Sequence, residues 1–192
     1  TRQLTTTVDT LSAFSTGTGT DTDTTNAGIF ITETDAVTIG SVAVSVTHIN
    51  SDASTSVITD AAQSGLTTLS NNGDIILTAA DSISINANLT TAGSGTISID
   101  AQGSDLIMAG DTNITATDSN VRLQAANSIT LGNVTAMDVS VVADTGSILN
   151  AAGSTMNISA TNLRLTAGDT IATNARQLTT TVDTLSAFST GT

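Results

Sequence analysis

Residues 73–93 read "GDIILTAADSISINANLTTAG", and the fold turns on how that stretch is read. Ile75, Leu77 and Ala79 lie two apart, Ile83 and Ile85 repeat the spacing eight positions on, and Leu89 follows Asn88. Alternation with period two sends one set of side chains inward and the other to water. The stretch therefore reads as three short strands, each burying one face.

The trio recurs. Ile97/Ile99/Ala101, Val121/Leu123/Ala125, Val139/Val141/Ala143 and Leu163/Leu165/Ala167 restate the first strand, so that its starts fall at 75, 97, 121, 139 and 163. Ile129, Ile148 and Ile171 follow at the offset of eight or nine, and Asn113, Asn133 and Asn157 precede the third pulse as Asn88 does. A lone turn of three such strands cannot bury its own apolar face, whereas stacked turns bury a continuous one. The expected fold class is all-β: a parallel β-helix, or β-solenoid, of about 22 residues per coil, within the range of solenoid repeats. Helix is excluded because apolar residues do not recur at three-and-four spacing and β-branched and Gly residues interrupt every long window. Pro is absent, as suits strands paired above and below. "GIFITETDAVTIG" at 28–40 fits the pattern through Ile29, Ile31, Val37 and Ile39. "SVAVSVTHI" (41–49) and "SVITDAAQSGLTTLS" (56–70) read as strands without a defined register.

A longer period encloses the shorter one. "RQLTTTVDTLSAFSTGT" stands at 2–18 and again, letter for letter, at 176–192. We expect residues 1–174 to form one β-helical repeat of about eight coils and 175–192 to begin the next. At about 4.8 Å per stacked strand, such a repeat would lengthen a rod by roughly 38 Å.

Composition agrees. Hydrophobic residues make up 39% of the 192, yet there are three Phe and no Tyr or Trp, so the core must be built from Ile, Val, Leu and Ala. Seventeen acidic residues against four Arg and no Lys give a net charge of -13. That balance excludes a nucleic-acid partner, which needs a basic stripe, and reads as a solvated, self-repelling surface. Without Cys there is neither disulfide nor thiolate site. No apolar run is long enough to span a bilayer.

The pattern in "GDIILTAADSISINANLTTAG" and in "VRLQAANSITLGNVTA" (121–136) resembles the right-handed β-helix repeats of filamentous haemagglutinin and related giant exported bacterial adhesins. The resemblance covers about residues 71–174. It implies a right-handed coil and an extracellular, cell-surface rod that carries an adhesive tip away from the cell.

Candidate sites are few. His48 is the only histidine, and with no Cys or second His it forms neither a familiar metal cluster nor a triad. Asp21, Asp23 and Asn26 form a weak calcium candidate, since hard cations want clustered oxygens; calcium is the one cofactor these residues admit. The EF-hand pattern fails, because Thr25 and Thr32 stand where an Asp or Asn and a Glu are wanted. Asn88, Asn113, Asn133 and Asn157 are expected to stack as a structural amide ladder or to serve at turns. Arg2, Arg122, Arg164 and Arg176 are expected at outward strand positions. The alternating Thr16, Thr18, Thr20, Thr22 and Thr24 show only one strand with a Thr face.

These readings favour a non-enzymatic structural repeat of an extracellular fibre or adhesin stalk, mediating attachment or cell-cell contact. Its partners are adjacent copies end to end, with a cell-surface or polysaccharide ligand elsewhere in the full protein. The alternative is a calcium-dependent, S-layer-like surface lattice.

Overall fold

The computed structural model describes residues 3–16, 28–69 and 72–191. Among them there is no helix, and parallel strands stack coil upon coil into a β-solenoid with three faces. The first face carries eight rungs, starting with Leu4–Thr6, Ile29–Glu33, Ile75–Ala79 and Ile97–Ala101 and ending with the carboxyl halves of Asn113–Ala125, Asn133–Ala143, Ile158–Ala167 and Thr180–Ser189. The second face is a separate six-stranded sheet running from Thr10–Leu11 through Val37–Ile39 and Ile83–Ile85 to Ile148–Asn150. Ala13–Ser15, Leu66–Thr68, Leu89–Thr90 and the amino halves of the four long strands make the third face.

The long strands differ from the expectation of three separate pulses per coil. From residue 113 onward the chain passes from the third face to the first without leaving the ladder, and the bend shows as a register shift between Ala116 and Asn120. Four polar residues, Thr117 to Asn120, take that corner in extended backbone rather than in a tight turn.

Inside, like stacks on like. Ile75, Ile97, Val121, Val139 and Leu163 form one buried column, Leu77, Ile99, Leu123, Val141 and Leu165 a second, and Ala79, Ala101, Ala125, Ala143 and Ala167 a third. Ile83, Leu106, Ile129 and Ile148 answer them from the second face, and Leu89, Ile114, Val134 and Ile158 from the third. Burial of each large aliphatic side chain contributes about 1.5–3 kcal/mol. Small alanines line the column beside the first corner, where backbone turns sharply. None of the three Phe is in the core: Phe14 and Phe188 are exposed and Phe30 half-buried.

Ile29–Glu33 and Val37–Ile39 stack on Ile75–Ala79 and Ile83–Ile85 in the expected register. Beyond Gly40 the chain leaves the column. Ser41–Val42 pairs antiparallel with Gln63–Ser64, and Ser45–Ile49 with Thr55–Thr59, making a two-stranded arm whose longer strands are exposed throughout. The chain rejoins the third face at Leu66, fully buried against Leu89.

Gly65 closes the neck. Its N–H donates to the Gly40 carbonyl (2.9 Å) and its carbonyl accepts from the Ala13 N–H (3.0 Å). Its φ of +74° is in the left-handed region, and a Cβ there would lie 1.9 Å from the Asn88 carbonyl oxygen. Only Gly fits.

Candidate functional site

A furrow of about 690 Å³ runs along the rod where the third face bends into the first. Stacking puts chemically similar groups at equal heights along it. Asn120, Asp138, Asn162 and Thr184 form one wall, with Asn162 Nδ2 donating to Asp138 Oδ1 (2.7 Å) and the Thr184 hydroxyl to Asn162 Oδ1 (2.5 Å). Arg122 and Arg164 project from the other, two rungs apart with Ser140 between them. Arg122 lies 3.6 Å from Asp100 in a solvent-exposed ion pair, a contact worth under about 1 kcal/mol. It also donates to Gln124, whose amide in turn donates to Asp144 (3.0 Å).

This wall holds hydroxyls, amides and one carboxylate already accepting a hydrogen bond. What the furrow offers a ligand is hydrogen-bonding capacity.

The asparagines divide. Asn113 N–H donates to Asn88 Oδ1 (2.9 Å), and Asn133 Nδ2 donates to Asn113 Oδ1 (3.2 Å), so three of them connect along the outer edge of the third face. Asn157 occupies the next rung but turns inward. Its Nδ2 donates to the carbonyls of Leu131 (2.9 Å) and Gly132 (3.2 Å) and to Asn150 Oδ1 (2.8 Å), while its Oδ1 accepts from the Thr179 N–H (3.0 Å). The chain between Asn150 and Ile158 is longer here than in the preceding coil, and the inward amide bonds back to the Leu131 and Gly132 carbonyls of that coil. Every buried side-chain nitrogen and oxygen among the described residues has a partner.

His48 sits opposite Ser56 on the arm, in solvent. At the arm's tip Asp52 Oδ1 accepts from the Ser54 hydroxyl (2.6 Å) and N–H (3.0 Å), and these bonds hold the Asp52 carboxyl below its ordinary range. Near the amino-terminal end of the column Glu33 takes the inward position that Ala79, Ala101, Ala125, Ala143 and Ala167 fill in the five rungs after it. It is fully buried, and its carboxylate accepts from the Thr6 hydroxyl (2.6 Å) and the Val8 N–H (3.2 Å). Desolvation first, then a hydrogen bond with Glu33 and its charge, hold the Asp35 carboxyl above its ordinary range. Nothing in the sequence pattern singled out Glu33, although a Glu at the column position otherwise filled by Ala was the available signal.

Arg122 and Arg164 stand on outward strand positions, as expected. Arg176 does not. It lies in a turn bridged to Thr173, and its Nε donates to the Asn150 carbonyl (2.8 Å), because the loop after Asn150 presents an acceptor within its reach. Arg2, the calcium candidates Asp21, Asp23 and Asn26, and Thr18, Thr20, Thr22 and Thr24 lie outside the described residues. Among the described residues no group of three or more acidic or His side chains is placed to hold a metal ion, and no helix is long and apolar enough to cross a membrane. No protein-family model, curated protein or solved structure matches the chain.

Proposed function

We propose that the chain is a non-enzymatic structural unit of a long extracellular fibre or adhesin stalk on a bacterial surface, of the kind its likeness to filamentous haemagglutinin repeats implies. The observation that carries this reading is the set of like-on-like columns running the length of the solenoid. Burial is arranged along one axis, so length is the property that added coils change. The acidic surface keeps such a rod soluble and discourages side-to-side association. The furrow walls, built from Asn, Thr, Ser and Arg, suit a hydrated exterior.

Small-angle scattering from chains of one and two repeats tests the rod. Constant cross-section with about 38 Å of added length per repeat, at about 4.8 Å per strand, is expected; a compact particle would sink it. Immunogold labelling with antibody against the arm tests the location, and signal confined to the cell interior would overturn it. Turnover of acidic polysaccharide by the purified chain would overturn the non-enzymatic reading.

A further inference from the structure

The letters "LTTTVDTLSAFS" occur at 4–15 and at 178–189, and the two copies fold differently. The first copy crosses all three faces in one short coil: Leu4–Thr6 pairs with Ile31 to Glu33, Thr10–Leu11 with Thr38 and Ile39, and Ala13–Ser15 with Leu66–Thr68. The second copy, from Thr180 on, forms the single strand Thr180–Ser189, pairing Ile158–Ala167 across the third and first faces. Leu11 is thus on the second face while its twin Leu185 is on the first.

Spacing along the chain shows which arrangement can have coils on both sides. The centre of the first face descends Ile31, Leu77, Ile99, Leu123, Val141, Leu165 and Ala187. The twin of Ala187 is Ala13, which precedes Ile31 by the same step that separates Leu123 from Val141. A segment in the first copy's arrangement would instead put Leu178, twin of Leu4, at the centre, and Leu178 follows Leu165 at a shorter step than any between these centres. No coil of the column is that short. Glu33 supplies an independent sign. In the first arrangement its buried carboxylate faces Thr6; with Ala187 beside Ile31 of a following copy, Ser189 faces it, so either register offers a hydroxyl.

We propose that this segment is a two-register joint whose partner is a second copy of this chain. Where no other copy is stacked before it, it caps the edge of Ile29–Glu33. It yields that edge to the exposed Thr180–Ser189 strand of a preceding copy, whose outer N–H and C=O groups are open to pairing, and copies then stack head to tail without closing. The proposal rests on the rod reading and specifies its joint.

Two cysteine pairs on the full chain test it, since neighbouring parallel strands at about 4.8 Å suit a disulfide. Thr5→Cys with Thr32→Cys should close within one molecule, lock the cap and give monomer. Thr32→Cys with Phe188→Cys should oxidise to a ladder of linked multimers that deepens with concentration. It should exceed by several-fold the ladder from Thr32→Cys with Ser186→Cys, which is out of register by two. Monomer alone from the Phe188 pair, or equal ladders from both, would overturn the joint. In a chain of two consecutive repeats, a bridge from Thr32→Cys of the second to Thr179→Cys of the middle segment in place of Phe188→Cys would also overturn the register change, while a doubled rod length in scattering would leave the rod reading standing.

Discussion

Residues 75–167 and the arm at 41–64 are equally rich in alternating β-branched residues, yet one buries every second side chain and the other buries none along its paired strands Ser45–Ile49 and Thr55–Thr59. Alternation makes a strand in both. What differs is the neighbour. Each column strand has a partner one coil before it and another one coil after, so its inward face meets two other faces of the same rod. The arm strands pair only with each other, and a two-stranded ribbon has no third layer to cover its apolar side. Burial in this molecule is conferred by recurrence of the motif, not by its composition.

The largest test of that contrast is Leu123→Ala against Ile58→Ala. Leu123 is fully buried, with Ile99 and Val141 stacked on either side, and its truncation should cost about 2–5 kcal/mol. Ile58 is 47% exposed, and its truncation should stay within about 0.5 kcal/mol. Urea unfolding reads both. Similar losses would mean that the arm is covered in solution and that the contrast is wrong.

Gly65→Ala probes the border between the two regions. A Cβ must displace the Asn88 carbonyl and hold a left-handed φ, so a loss of about 2–3 kcal/mol is expected. The loss should fall on the column as well as the arm, because Gly65 is hydrogen-bonded to both Gly40 and Ala13. A melting curve that changes only in an arm-specific probe would move the border inward, to Leu66.

Within the column, Asn157→Ala should cost more than Asn113→Ala. Removing the buried amide leaves the Thr179 N–H and the Leu131 and Gly132 carbonyls without it, about 1–3 kcal/mol, whereas the exposed Asn113 gives up one surface rung worth about 0.5 kcal/mol. Thermal denaturation of the two variants side by side checks the order. Equal shifts would make Asn157 another rung of the exposed row.

These same residues mark how far the sequence could be read. The columns through Ile75, Leu77 and Ala79 were legible because period two inside a longer, nearly regular period leaves a single inward set. Residues 41–64 were not, because an arm between the second and third faces separates Ile39 from Leu66, whereas Ile85 and Leu89 are nearly adjacent in sequence. No local propensity announces that a strand will leave the column. Asn157 carries the same neighbours as Asn88 or Asn133, an apolar residue and then Ser or Thr, and only the loop at 151–156 turns its amide inward. The furrow was invisible for a related reason: Asn120, Asp138, Asn162 and Thr184 share no motif, and become neighbours only once the coils are in register.

The smallest expected effect concerns the arm's tip. Hydrogen bonds from Ser54 favour the ionised form of Asp52, so its folded pKa lies below the ordinary 3.8. A depressed carboxylate stabilises the turn fully at pH above that ordinary value, and the contribution fades as pH falls through the lower folded value. Protection of the Ser54 amide, taken relative to the intrinsic exchange rate at each pH, should therefore fall below about pH 3.8, while the Leu123 amide keeps its protection until the column itself unfolds. Asp52→Ala should free the tip in the same way at neutral pH and leave the melting temperature unchanged, because the arm shares no buried face with the column. Loss of column protection in that variant would show that the arm braces the rod, and the two regions would then have to be treated as one cooperative unit.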